Sequence, residues 1–243
     1  MAGSDEAGPT TTRNTTLRVM GLSGPDTGAP TIGPVTFDVD TGEMVTVVAP
    51  ERAAVAALLH LLSGIVVPGA GTIEFDGVDV TAEPAHKRVR RGLGRSYPLR
   101  PLWAGMTVED HLHVAVQEAR QATCRPWLRD PVDQAVTDRL LTRTGLAGRG
   151  ATPSSHLSAG EKRKLEVAIM LADDPRLALL DDPLTGVSRD EAEELAALIR
   201  SLRDEDGHTI VMTALPESLD LLEPLSDRVV VLARRPADHV FST

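Results

Sequence analysis

Two short segments of the sequence carry residues whose types and spacing could do chemistry. In the first, Ser158 precedes Glu161 by three residues, which is the spacing of a capping box at the start of a helix. A serine hydroxyl and the exposed N–H groups of a helix N-terminus together suit an anion such as a phosphate group. In the second, an apolar run over residues 177–180 ends in the adjacent carboxylates Asp181 and Asp182. Taken alone, the first segment indicates an ordinary helix cap, and the second indicates a strand that enters a turn.

The composition indicates a folded protein with a core and excludes several classes of function. Of the 243 residues, 42% are hydrophobic and 25% are charged. The net charge of −10 argues against a nucleic-acid partner, because binding through phosphate contacts needs a basic stripe. The single Cys124 excludes a disulfide framework. Lysines and aromatic residues are both scarce, since the chain has three lysines and its first aromatic residue is Phe37.

Two stretches bear on targeting and on membrane insertion. Residues 1–16 are polar and Thr-rich, so we expect a disordered tail and no secretory signal. Residues 53–73 carry no charge, but Gly64 and Pro68 interrupt them. A membrane span needs about 20 predominantly apolar residues, so we expect a buried core helix in this stretch.

Helical and strand-like patterns alternate along the chain from residue 17 to residue 243. Such alternation predicts an α/β domain in which helices wrap a mainly parallel sheet. Residues 95–165 show helical patterns without strands, which predicts a helical lobe inserted into the α/β body. Residues 83–105 are locally basic, and we expect them to be irregular.

Several landmarks, in order, resemble the ATP-binding subunit of an ABC transporter, within the P-loop ATPase superfamily. Residues 42–81 match the opening of that domain without a gap, and the later landmarks are Arg95-Ser-Tyr-Pro, Leu157-Ser-Ala-Gly-Glu, Leu177-Ala-Leu-Leu-Asp-Asp-Pro, Thr185-Gly-Val-Ser and Thr209-Ile-Val-Met-Thr. The resemblance covers about residues 17–235 and is closest to the branched-chain amino-acid uptake group. It implies the P-loop NTPase-like fold with an antiparallel β region at the N-terminus, solute transport, and ATP and Mg²⁺ as ligands.

The resemblance places the phosphate loop on nine residues: Ala49, Pro50, Glu51, Arg52, Ala53, Ala54, Val55, Ala56 and Ala57. Such a loop works because glycines admit the phosphates, a lysine neutralises the β/γ-oxygens and a hydroxyl binds Mg²⁺. Here Val55 stands at the lysine position and Ala56 at the hydroxyl position. Arg52 replaces a glycine, and we expect its side chain to face solvent. The sequence therefore predicts weak binding of ATP at this loop.

The remaining family positions are also altered, with one exception. The glutamine position falls on Pro98, the switch histidine falls on Leu215, and the aromatic residue that stacks on adenine falls near Asp26. The catalytic glutamate position carries Asp182, which is one methylene shorter and could hold water weakly. Asp181 alone stands as in the family, where this carboxylate orders Mg²⁺.

The signature motif of the family resembles Leu157, Ser158, Ala159, Gly160 and Glu161, and its serine and second glycine are both present. In the family, this motif reaches the nucleotide that a second subunit holds. Three interpretations therefore remain open. The chain is a degenerate importer subunit that completes an active partner's ATP site, an interaction or regulatory module that does not hydrolyse ATP, or an ATPase with atypical site residues.

The resemblance also implies partners and a location. An importer subunit of this kind would pair with a second, active ATP-binding subunit, since two copies of this chain would give two altered sites. It would dock on membrane permease subunits near the segment from Tyr97 to Trp103. We therefore expect a cytoplasmic protein that is peripheral on the inner face of the cell membrane.

Overall fold

The structure, a computed structural model, describes residues 14–25, 32–96, 102–120 and 130–232. Its strands are β1 (Thr15–Ser23), β2 (Val35–Asp40), β3 (Met44–Val48), β4 (Ala70–Phe75), β5 (Val78–Asp79), β6 (Leu93–Arg95), β7 (Leu177–Asp181), β8 (Thr209–Ala214) and β9 (Arg228–Val231). Its helices are α1 (Arg52–Leu62), α2 (Ala85–Arg90), α3 (Val108–Ala119), α4 (Pro131–Arg143), α5 (Ala159–Leu171), α6 (Arg189–Asp204) and α7 (Leu219–Leu222).

The strands form two sheets of opposite character. Four N-terminal strands make an antiparallel sheet in the order β2-β1-β4-β5, and five strands make a parallel sheet in the order β6-β7-β8-β3-β9. Both the mainly parallel sheet and the antiparallel region at the N-terminus are thereby confirmed. The first strand begins at Thr15, which pairs with Asp40, so it starts inside the stretch 1–16 that we expected to be a tail.

The parallel sheet is buried on both faces, and its side chains alternate between two apolar cores. Along β3, Met44 and Val48 pack with residues of α3, α5 and α6, whereas Val45 and Val47 pack with α1 and the antiparallel sheet. This partition follows from the two-residue period of a strand. A sheet covered on both faces has near-continuous apolar strands, so charged side chains are expected at the strand ends.

Helices α3, α4 and α5 pack on one another and form the inserted helical lobe. Two of them begin at a capping box, in which Thr107 pairs with Asp110 and Ser158 pairs with Glu161. The predicted cap at Ser158 is thus confirmed. These boxes fix where the helices start, because each one satisfies N–H groups that the helix itself leaves free.

The prediction that residues 83–105 are irregular is wrong for the part that the structure describes, because this stretch forms α2 and β6. Arg88 explains how so basic a segment folds, since its side chain is fully buried. Its guanidinium donates to the carbonyl oxygens of Leu61 and Leu62 at 2.8 Å, and to those of Thr81 and Glu83 at 3.0 Å. The cation therefore caps the C-terminus of α1 and ties α2 to it.

The uncharged stretch 53–73 forms the short core helix that we expected in its first half. Helix α1 buries Val55, Leu58 and Leu59 and ends before Gly64. Within the described ranges, no helix is both long enough and apolar enough to cross a bilayer.

Arg88→Ala is expected to lower the free energy of unfolding by about 3 kcal/mol or more, because it leaves several buried carbonyl groups without a donor. Urea denaturation measures this loss. Arg90→Ala, on the exposed side of the same helix, is the matched control, and we expect it to change stability by less than about 0.5 kcal/mol. An equal loss in the two variants would contradict the capping role of Arg88.

Candidate functional site

The segment that resembles a phosphate loop enters α1 without a glycine and without a side-chain cap. Glu51 occupies the N-cap position in an extended conformation, and the N–H groups of Ala54 and Val55 donate to its carbonyl oxygen at 3.0 and 3.3 Å. Val55, at the lysine position, is 2% exposed and belongs to an apolar core. This segment therefore begins a helix that packs on the core, and two of its amides are bonded within the chain.

Asp181 ends β7 and is paired with a buried arginine from the neighbouring strand. Its Oδ2 lies 3.3 Å from Nη2 of Arg95, whose side chain is 4% exposed. The Arg95 guanidinium also donates to the hydroxyl of Ser63 at 3.0 Å. Burial raises the pKa of Asp181, and the positive charge of Arg95 opposes that rise. Burial likewise lowers the pKa of His60, and Arg95 adds to that effect.

Asp182 is 2% exposed and has a left-handed backbone with φ of 42°. One carboxylate oxygen accepts from the hydroxyl of Thr185 at 2.7 Å and from that of Ser218 at 3.4 Å. The other oxygen lies 3.4 Å from Nη1 of Arg52. The expectation that Arg52 simply faces solvent is therefore incomplete, because this mostly exposed side chain ends at a buried carboxylate.

The other altered positions fall in different places. Leu215, which the resemblance assigns to the switch histidine position, is partly buried against the same apolar core as Val55. Pro98 and Asp26 lie outside the described residues, as does Tyr97 at the start of the expected permease-docking segment. The structure therefore places Asp181, Asp182 and the start of α1 at one edge of the parallel sheet. Arg95 and Arg52 form the ion pairs in this region.

The signature segment forms the N-terminus of α5 and is held there by a capping box. The hydroxyl of Ser158 accepts from the amide of Glu161 at 3.1 Å, and Glu161 accepts from the amide of Ser158 at 2.9 Å. Arg149 donates to both carboxylate oxygens of Glu161 and lowers its pKa. Leu157 is buried, whereas Ser158 and Ala159 are exposed. The amide of Gly160 donates to Glu191 of α6 at 3.1 Å.

Sequence reasoning missed two charged residues that shape these regions, namely Arg95 and Glu191, and it did not predict the contact of Arg52 with Asp182. Arg95 stands in a basic run with no local signal that sets it apart, and only the pairing of β6 with β7 places it beside Asp181. Glu191 did carry a signal, because it lies three residues after Ser188 in a third capping box. That spacing predicts its role in α6 but not its contact with Gly160.

A five-stranded parallel sheet, a strand-to-helix segment after β3, two carboxylates at the end of β7 and an inserted helical lobe define a P-loop nucleotide-binding cassette. The family model described as "ABC transporter" matches residues 32–185. The chain therefore belongs to the ABC transporter family, as an ATP-binding subunit of the P-loop superfamily.

Characterised and uncharacterised relatives agree with this assignment. The chain is 31% identical over 209 residues to an uncharacterised ABC transporter ATP-binding protein of Rhizobium meliloti, covering 86% of this chain and 75% of the relative. It is 31% identical over 186 residues to a probable ABC transporter ATP-binding protein of Azorhizobium caulinodans, covering 76% of this chain and 64% of the relative, just under two thirds of its length. It is 26% identical over 226 residues to the high-affinity branched-chain amino acid transport ATP-binding protein BraF of Pseudomonas aeruginosa, covering 89% and 87%.

Solved structures show the same fold at lower identity. An ATP-binding cassette of an ABC transporter in its ADP conformation superposes with a TM-score of 0.78 at 17% identity, covering 90% of this chain and 87% of that one. A dimeric, post-hydrolysis ATP-binding cassette bound to ADP and Pi gives a TM-score of 0.72 at 18% identity, covering 89% and 94%.

Arg95→Ala is expected to destabilise the protein by about 3 kcal/mol at neutral pH, because the buried Asp181 carboxylate loses its counter-ion. A carboxyl group whose pKa is raised by folding weakens stability as the pH rises through that pKa, since the folded protein must then hold the charge. The loss should therefore shrink as the pH falls and Asp181 becomes protonated. Urea denaturation at several pH values measures it.

The control for this prediction is Asp181→Asn in the Arg95→Ala background. The double variant has no carboxyl group to titrate at this position, so its stability should depend on pH less steeply than that of Arg95→Ala. A loss in Arg95→Ala that stays constant from neutral to acidic pH would show that Asp181 and Arg95 are not coupled.

Proposed function

We propose that this chain is a degenerate ATP-binding subunit of an ABC importer, which pairs with an active subunit and completes that subunit's ATP site in trans. The observation that carries the proposal is the contrast between its two nucleotide-facing regions. Both carboxylates at the end of β7 are ion-paired with the chain's own arginines, whereas the signature segment keeps its serine, glycine and helix cap.

The groups at the chain's own loop do not fit Mg²⁺ and ATP. Oxygen ligands hold Mg²⁺ in phosphate sites, yet Ala56 offers no hydroxyl and the Asp181 carboxylate already pairs with Arg95. No lysine stands near the β/γ-phosphate position, because Val55 is buried in the core. Asp182, the candidate that could hold water, is buried and bonded to Thr185. This region therefore supports neither tight ATP binding nor hydrolysis.

The signature segment supports a role at a partner's nucleotide. The exposed Ser158 lies at the N-terminus of a 13-residue helix, where the helix dipole and the N-terminal amides favour an anion such as the γ-phosphate. Because Ala159 has a small side chain and Gly160 has none, side chains of these two residues do not project far from this helix end. The same end would meet an active subunit's nucleotide if the two subunits pack head to tail, as the family resemblance implies.

The importer assignment and the membrane location rest on similarity and on one exposed side chain. BraF and the CysA proteins named for sulfate/thiosulfate import are among the relatives, which supports import. Trp103 is 60% exposed and stacks on His111 at a centroid distance of 5.8 Å, while Leu102 packs on the core. A large exposed ring on the helical lobe supports docking on permease subunits at the inner face of the membrane.

The purified chain alone is expected to gain no measurable thermal stability from MgATP. With a Kd above about 10 mM, ATP at about 1 mM adds under about 0.1 kcal/mol of stability. Differential scanning fluorimetry with and without Mg²⁺ measures the shift. Mg²⁺-dependent binding of ATP with a Kd in the low micromolar range would contradict this proposal. ATP hydrolysis by the chain alone that Asp181→Asn abolishes would instead support an ATPase with atypical site residues.

In a complex coexpressed with an active ATP-binding subunit and its permease, Ser158→Arg is expected to lower ATPase activity by about 10²-fold, because the side chain blocks the γ-phosphate position. Steady-state phosphate release measures the change. Ser158→Ala separates this block from loss of the helix cap, which costs about 1 kcal/mol of stability. Unchanged activity in Ser158→Arg, or failure of the chain to copurify with any such subunit, would favour an interaction or regulatory module.

A further inference from the structure

The N-terminus of α5 already holds a carboxylate from the same chain. Oε1 of Glu191 accepts from the amide of Gly160 at 3.1 Å. A Cβ atom at Gly160 would lie 2.7 Å from the Cβ atom of Glu191, so the absence of a side chain at Gly160 is what allows this approach. Glu191 therefore packs directly on the helix end that resembles the signature motif.

Glu191 is an anion at this position over the whole physiological pH range. Hydrogen bonds from the Ser158 hydroxyl, from Ser188 and from the Gly160 amide lower its pKa to about 2. The Gly160 amide that donates to Glu191 is one of the helix N-terminal groups that the proposed function assigns to a phosphate oxygen.

The two oxygens of Glu191 have separate roles. Oε2 accepts from the amide of Ser188 at 2.9 Å and from its hydroxyl at 3.0 Å, which caps α6. Oε1 reaches across to α5. Rotation of the carboxylate away from Gly160 would therefore remove the contact with α5 while leaving a donor of α6 within reach.

A polar cavity of about 430 Å³ adjoins this contact and is lined by Gly145, Arg149 and Lys164 together with Glu191. The two cations are paired with carboxylates of the same cavity, Arg149 with Glu161 and Lys164 with Glu194. Space for an incoming phosphate group thus lies next to the carboxylate that accepts from Gly160, and the lining has two cations that are paired with other carboxylates.

We propose that Glu191 is an internal occupant of the phosphate position of the signature segment, and that it must leave Gly160 before this segment can receive a partner's nucleotide. The inference rests on the proposed function. Two anions cannot share one N–H group without strong repulsion, so the carboxylate and the γ-phosphate exclude each other. Glu191 thereby reduces the fraction of the chain that is competent to complete the partner's site.

Glu191→Gln tests the proposal in the coexpressed complex. Glutamine serves at this position of a capping box, so α6 keeps its cap while the negative charge is removed. The ATP concentration for half-maximal activity should fall about threefold or more, because a larger fraction of the chain is competent. Glu193→Gln, which removes an exposed charge on the same helix, should leave it unchanged. An unchanged or higher value in Glu191→Gln overturns the proposal.

A second measurement needs no partner. Inorganic phosphate is titrated into the ¹⁵N-labelled chain, and the Gly160 amide resonance is followed. The parent and Glu193→Gln should show no saturating shift, whereas Glu191→Gln and Glu191→Ala should show one. An equal response in parent and variants, or none in any, contradicts the role of Glu191. Because Ser158→Arg tests complementation separately, the failure of one proposal is distinguishable from the failure of the other.

Discussion

A carboxylate that is taken out of water needs a positive charge beside it, and this requirement governs the edge of the parallel sheet. Burial of the sheet on both faces confines charged side chains to the strand ends, where β7 ends at Asp181 and Asp182 follows it. In a nucleotide site, a bound metal ion supplies much of the compensating charge. Here Arg95 and Arg52 supply it from within the chain. Both carboxylates therefore have a positive charge from the chain itself beside them, although Oδ2 of Asp182 accepts no hydrogen bond within the described residues.

The same principle operates with opposite sign at the start of α5. A helix N-terminus carries unsatisfied N–H groups and partial positive charge, and an anion is the natural complement. Glu191 provides that anion. The difference between the two places lies in what holds the internal ion. Arg95 is buried and also bonded to Ser63, whereas Glu191 is partly exposed beside a water-accessible cavity. One internal ion is part of the core, and the other stands at a surface where another anion can compete.

Most of the fold could be predicted from the sequence because its signals are local. The apolar run 177–180, the capping box at Ser158 and the alternation of helices with strands each act over a few residues. The error at residues 83–105 has a physical cause. In the sequence, Arg88 is one of several basic residues and resembles an ordinary surface charge. Its burial is stabilised by hydrogen bonds to the C-terminal carbonyl groups of α1, which only the folded structure brings close to it.

The site could be predicted only as far as single positions allow. That Val55 is not a lysine and that Ala56 has no hydroxyl is plain from the sequence. The nearby ion pairs are not, because Arg95 and Asp181 are separated by 86 residues and meet only through the pairing of β6 with β7. Contacts of that kind depend on sheet order, which no local pattern encodes.

The burial of Val55 determines what a lysine at this residue would encounter. An ammonium group there would lie among Leu58, Leu59 and other apolar side chains of the same core. Its desolvation would find little compensation from Asp181 and Asp182, because these carboxylates already face Arg95 and Arg52. In this chain, the packing of α1 and a lysine at residue 55 are therefore mutually exclusive.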